Sequence, residues 1–157
     1  MNKLVKVLLA IIVCEAVGIL GSVFTIPAIT TWYQTLNKPV FSPPNYVFGP
    51  IWTTLYALMG ISIFLILEKK IKNKEKNKLI YLFSLQLFLN FLWSIIFFGF
   101  HLPLLAFLDI VFLWVSILLL IIRFWKISKP ASYLLMPYLL WVSIASVLNA
   151  AIVILNR

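Results

Sequence analysis

Three tryptophans stand where their rings could share one ligand. Trp52 is followed at helical spacing by Tyr56, Met59 and Ile63. Gln86 and Asn90 precede Trp93 and Phe97 at steps of four, three and four, and Tyr138 and Trp141 precede Ala145 and Leu148. Residues three or four apart share one face of an α-helix, so each set is a stripe. If the stripes converge, they line an aromatic cavity with few polar groups, which suits a flat, lipophilic ligand. The alternative is that these aromatics simply pack a core. Asn90 weighs against that alternative, because an amide in a dry core needs a partner.

Other chemistry-bearing groups are sparse. Glu15 and Asp109 each lie in the middle of an apolar run. Ionisable groups in such places are costly, so each is read as a proton relay or counter-ion, or else as a hydrogen-bonded packing group. Asn149 is expected to bond across helices. Cys14, Gly18 and Ser22 follow a small-xxx-small spacing that permits close helix approach, either inside the molecule or at a dimer seam. The single cysteine excludes an internal disulfide or a cysteine metal cluster. His101 has no second ligand nearby and is expected to be solvated, so no metal site is expected. Walker, dinucleotide, nucleophile-elbow and zinc-pair patterns are missing, which leaves hydrolytic and nucleotide chemistry unsupported.

The elements that must position these residues follow from composition. Of 157 residues, 64% are hydrophobic, 16% aromatic and only 11% charged, with a mean hydropathy of +1.09. Ordinary soluble domains are about 45–50% apolar and 25% charged. A bilayer core about 30 Å thick needs about 20 apolar residues in a helix. Five runs meet this, at about 7–26, 47–67, 79–98, 104–122 and 133–155. With backbone groups unsatisfied by lipid, the expectation is an all-α bundle of five transmembrane helices, a single domain over 1–157. The first run is too long for a signal h-region and lacks a small-residue cleavage pair, so it is read as a retained helix.

The formal charge of +9 is a topology signal. Lys3, Lys6, Lys69, Lys70, Lys72, Lys74, Lys76, Lys78, Arg123, Lys126 and Lys129 fall on one side of the five runs, and Lys38 and Arg157 on the other. The side rich in basic residues faces the cytoplasm. The N-terminus is therefore expected to face the cytoplasm and the C-terminus the outside, with the lipid bilayer, not nucleic acid, as partner. Between the first two runs the chain spends about 20 residues, Pro27 to Tyr46, rich in Pro, Trp and Tyr. Pro stiffens such a stretch. It is read as a lid over the bundle mouth or as an interfacial aromatic belt.

These motifs resemble the TspO/MBR family, the tryptophan-rich sensory proteins that include the mitochondrial translocator protein, once called the peripheral benzodiazepine receptor. The segment from Trp32 to Pro44, WYQTLNKPVFSPP, resembles the family's W-Y-x-x-L-x-K-P-x-x-x-P-P, and Gly49 to Tyr56, GPIWTTLY, resembles G-P-x-W-x-x-L-Y. Gln86 with Asn90, Trp93 and Phe97-Phe98-Gly99, then Asp109, then Pro137-Tyr138-Leu139 with Trp141 and Val147-Leu148-Asn149, continue the match in family order. The resemblance implies a homodimeric five-helix bundle that binds protoporphyrin IX and isoquinoline carboxamides beneath the first loop. It places Tyr33, Pro44, Phe48, Trp52, Asn90, Trp93, Trp141, Ala145 and Leu148 at the ligand. It also implies light- and oxygen-dependent breakdown of the porphyrin, with Trp52 and Trp141 as the catalytic pair and no cofactor required. Animal members carry a cholesterol-recognition tyrosine near the end of the fifth helix; Asn149 to Arg157 here reads NAAIVILNR, so cholesterol transport is not carried over. A porphyrin or lipophile transporter is the alternative function. A proton-coupled exporter of lipophilic cations, motivated by Glu15, ranks below it because such exporters have four spans and no proline-rich lid.

Overall fold

The computed structural model describes residues 2–157 and is helical throughout its ordered elements. Helix α1 spans Lys3–Ile29, and α2 is a single turn, Trp32–Thr35. Helices α3 (Asn45–Leu67) and α4 (Asn73–Ser94) follow, the latter running on as a π-helical turn, Ile95–Gly99. Helices α5 (Pro103–Trp125) and α6 (Lys129–Leu155) complete the chain. Five of these, counting α4 with its π turn as one, are long and apolar enough to cross a membrane.

Each long helix outruns its apolar stretch at one end or both. The Asn2 side chain caps α1 by accepting from the Leu4 N–H, and α5 and α6 carry Pro103 and Pro130 in their first turns, where a missing N–H costs nothing. Pro27 does not end α1. The helix continues to Ile29 and α3 begins at Asn45, so the connection expected over Pro27 to Tyr46 is shortened to residues 30–44 and interrupted by α2.

The helices close into a ring in the order α1, α3, α6, α5, α4, with α4 returning to α1. Helix α1 lies flush on α3 because both carry glycines at the contact. A Cβ on Gly60 would sit 2.5 Å from the Ile11 Cα, and one on Gly18 would sit 2.3 Å from the Tyr56 ring. The Cys14 and Gly18 part of the small-residue stripe is therefore spent on internal packing. The main core, which includes Met59, Ile66, Leu113, Ile117, Phe124, Leu135 and Val142, fills the inner part of the ring. A second cluster gathers Ala28, Tyr33, Ile96, Phe97, Phe98 and Leu148 under residues 30–44. Outside, Leu8, Ile12, Ile19, Val23 and Ile26 leave α1 apolar and exposed, as a lipid-facing helix requires.

Residues 30–44 are strapped to α6 and to the α4–α5 turn, and a bond between their flanking residues draws the two ends together. Asn37 donates its N–H to Asn156 Oδ1 (2.9 Å), and Asn156 Nδ2 returns a bond to the Asn37 carbonyl (2.9 Å). Trp32 stacks on His101, centroids 4.3 Å apart and 12° from parallel. Asn45 Nδ2 donates to the Ile29 carbonyl (3.4 Å). His101 holds a left-handed backbone, φ 57°, in the α4–α5 turn and is exposed. At the opposite end Lys6 Nζ meets Glu68 Oε1 at 2.7 Å, and the Lys6 bond holds the Glu68 carboxyl below its usual range. Trp114 packs against the core and donates to Ser143 Oγ (2.8 Å). Trp125 is exposed, with Lys129 Nζ 5.4 Å from its ring.

Candidate ligand-binding cavity

A cavity of about 330 Å³ opens between the outer halves of α1, α3, α4 and α6. Its walls come from four helical stripes. Helix α3 supplies Phe48, Trp52 and Tyr56; α4 and its π turn supply Asn90, Trp93, Phe97 and Phe98; α6 supplies Trp141, Ala145 and Leu148. Helix α1 closes the remaining side with Glu15, Gly18, Ser22 and Thr25, and Tyr33 and Pro43 come from the connecting segment. Of the residues expected at a ligand, Tyr33, Phe48, Trp52, Asn90, Trp93, Trp141, Ala145 and Leu148 all line this one cavity. Pro44 does not; its neighbours Pro43 and Asn45 take that edge.

The aromatic wall is mutually braced. Trp93 stacks on Phe97 at 5.0 Å, Phe48 meets Trp141 edge-on at 6.0 Å, and Trp52 lies 5.7 Å from Tyr56. Such pairs gain about 0.5–1.5 kcal/mol beyond simple burial. Tyr33 is 2% exposed, its hydroxyl lies 3.4 Å from Ser42 Oγ, and burial pushes its phenol up from the ordinary range. Lys38 reaches back to donate to the Tyr33 carbonyl (2.8 Å) and lies 4.7 Å over the Tyr33 ring.

Polar groups at the inner end divide into spent and free. Asn90 accepts from the Tyr56 hydroxyl and donates to the Tyr138 hydroxyl (2.9 Å), which donates onward to Gln86 Oε1 (2.9 Å). Gln86 and Tyr138 are fully buried and do not line the cavity, so those two stripes run from the cavity into its floor. Asn149 accepts the Trp93 indole N–H (3.0 Å) and donates to the Pro103 carbonyl (2.7 Å), the cross-helix bonding expected of it. The indole N–H groups of Trp52 and Trp141 make no hydrogen bond among the described residues, unlike those of Trp93 and Trp114. Glu15 lines the cavity, a placement its own stripe with Gly18, Ser22 and Thr25 could have signalled. Asp109 is buried away from it, with Oδ2 lacking a partner among the described residues.

Residues 10–155 match the TspO/MBR family. This chain belongs to the TspO/MBR family. It is 46% identical to the tryptophan-rich protein TspO of Chlorobaculum tepidum, with 99% of each chain covered, and 44% identical to that of Archaeoglobus fulgidus, with 98% and 99% covered. The human translocator protein is 34% identical, over 75% of this chain and 70% of its own. As a TspO/MBR member with five spanning helices, the protein is an integral membrane protein.

Proposed function

We propose that the protein is a membrane receptor for tetrapyrroles such as protoporphyrin IX, and for lipophiles of the isoquinoline carboxamide type, and that it promotes light- and oxygen-dependent porphyrin breakdown. The observation carrying this reading is the pair Trp52 and Trp141, which face one aromatic cavity with their indole N–H donors unspent. Flat rings stack on aromatic walls, and free donors meet a ligand's acceptor atoms. The strapped segment 30–44 serves as the lid, with Tyr33 and Pro43 facing the ligand space beneath it. In the breakdown reaction light excites the bound macrocycle, dioxygen is the oxidant and the porphyrin is oxidised. Trp52 and Trp141 act by electron-transfer quenching: an indole gives one electron to the excited macrocycle, which passes it to dioxygen as superoxide, and the porphyrin, as the net reductant, returns an electron to the indole radical as its ring is oxidised. The protein is read as a homodimer in a bacterial cell membrane, N-terminus in the cytoplasm.

Transport of porphyrin is the second reading, favoured by the cavity's edge towards lipid, where the lining residues Ile19 and Ile26 are 65% and 64% exposed. One experiment addresses both. Protein in sealed proteoliposomes is given protoporphyrin IX and followed in the dark and under illumination. Wild type should bleach the porphyrin only in light, and Trp52→Phe and Trp141→Phe should each slow bleaching about tenfold, roughly 1.4 kcal/mol of barrier. Equal bleaching by all three would overturn the tryptophan mechanism, and accumulation in the lumen without bleaching would select transport.

A further inference from the structure

Glu15 is a carboxyl group set in the middle of a membrane-spanning helix and facing a cavity, and no basic side chain pairs with it among the described residues. No Lys, Arg or His lines the cavity. Among the described residues the one ion pair is Lys6 with Glu68, at the far end of α1, and Glu15 makes no hydrogen bond. Three residues on, Gly18 lies against the Tyr56 ring, so Glu15, on the same helix face, borders the wall formed by Tyr56 and Trp52. A lone acid in a span is costly unless a partner arrives, and the cavity it lines offers a route for one.

We propose that the cavity is charge-selective and takes lipophilic monocations, with Glu15 as their counter-ion and the Trp52 and Tyr56 rings as the apolar seat. The physical basis is twofold. A carboxylate in low-dielectric surroundings attracts a cation far more strongly than it would in water. Aromatic faces add a cation–π contribution, the recurring basis for recognition of quaternary ammonium groups. The same charge repels the carboxylates of an anionic tetrapyrrole, which therefore seat away from Glu15, so cation and porphyrin occupy overlapping space in opposite orientations. This rests on the reading of the cavity as a ligand site and names its preferred charge.

The test uses two probes of one shape and opposite charge, tetraphenylphosphonium and tetraphenylborate, with protoporphyrin IX as a third ligand. Binding to the full-length protein in neutral detergent is measured by equilibrium dialysis for wild type, Glu15→Gln and Glu15→Asp. Wild type should prefer the cation, and the cation should displace protoporphyrin IX. Glu15→Gln should weaken the cation at least tenfold and leave protoporphyrin IX within threefold, while Glu15→Asp, keeping the charge, should retain most of the cation affinity. A cation affinity within twofold of wild type in Glu15→Gln overturns the proposal, as does an equal loss for all three ligands, which would mark a structural role. If protoporphyrin IX binds and neither probe does, the charge preference alone fails. If no ligand binds wild type, the cavity reading fails with it.

Discussion

Asn90 spends both ends of its amide inside the protein, on Tyr56 and Tyr138, so its role at the cavity is to hold the floor and fix the Tyr56 ring. Tyr138 is the hinge of that chain, accepting from Asn90 and donating to Gln86 while fully buried. Tyr138→Phe keeps the ring and leaves two buried amide groups unpaired, and each such orphan costs about 1–3 kcal/mol. The expected result is a clear fall in thermal midpoint in detergent, with protoporphyrin IX affinity changed less than tenfold because Tyr138 does not line the cavity. An unchanged midpoint would mean the chain is not what holds the floor. The stripes containing Asn90 and Tyr138 are legible in the sequence, since helical periodicity gives a residue's face. Their split into wall and floor is not, because periodicity is silent on where along the helix a neighbouring face ends, and that is why Gln86 and Tyr138 fall below the ligand space.

At the scale of elements, the position of α1 decides whether there is a cavity at all. It touches α3 through Gly60 and Gly18 and then carries the open wall of Glu15, Ser22 and Thr25. The Gly60 contact is with the main chain of Ile11 and Ala10, which cannot rotate aside. Gly60→Ala should therefore push α1 off α3 and cost about 1–3 kcal/mol by overpacking. Gly49→Ala, whose Cβ would meet nothing within 4 Å, should be neutral or slightly stabilising through helix propensity. Parallel thermal melts of the two variants check this, and equal midpoints would remove the close-contact account of α1. The sequence shows one side of this contact, Cys14 and Gly18 on α1. The second close approach, Gly60 against the main chain of Ile11 and Ala10, is not legible, because a small-residue stripe permits close approach without naming the helix that approaches. The 30–44 segment is similar: its prolines announce a stiff connection, but its straps to Asn156 and His101 join residues far apart in the chain and have no local signature.

Taken as a whole, the molecule is electrically lopsided along its long axis. The Lys6 to Glu68 ion pair places the start of α1 beside the end of α3, so Lys3, Lys6 and the lysines from 69 to 78 share one end, joined by Arg123, Lys126 and Lys129 at the α5–α6 turn. Lys38 and Arg157 share the other, where Asn37 is bonded to Asn156. Each basic side chain near an anionic cytoplasmic surface contributes about 1 kcal/mol, so eleven against two is a bias of several kcal/mol for one orientation. On that orientation the mouth under residues 30–44, at the basic-poor end, is expected to open away from the cytoplasm. Cysteine labelling reads this directly. Cys14 is the sole cysteine and is buried, so Cys14→Ala gives a silent background. In that background Val40→Cys, at a fully exposed site of the connecting segment, should react with a membrane-impermeant maleimide on intact cells, and Lys74→Cys only after lysis. The reverse pattern would turn the mouth towards the cytoplasm, and a ligand would then have to reach Trp52 and Trp141 from inside the cell rather than from outside.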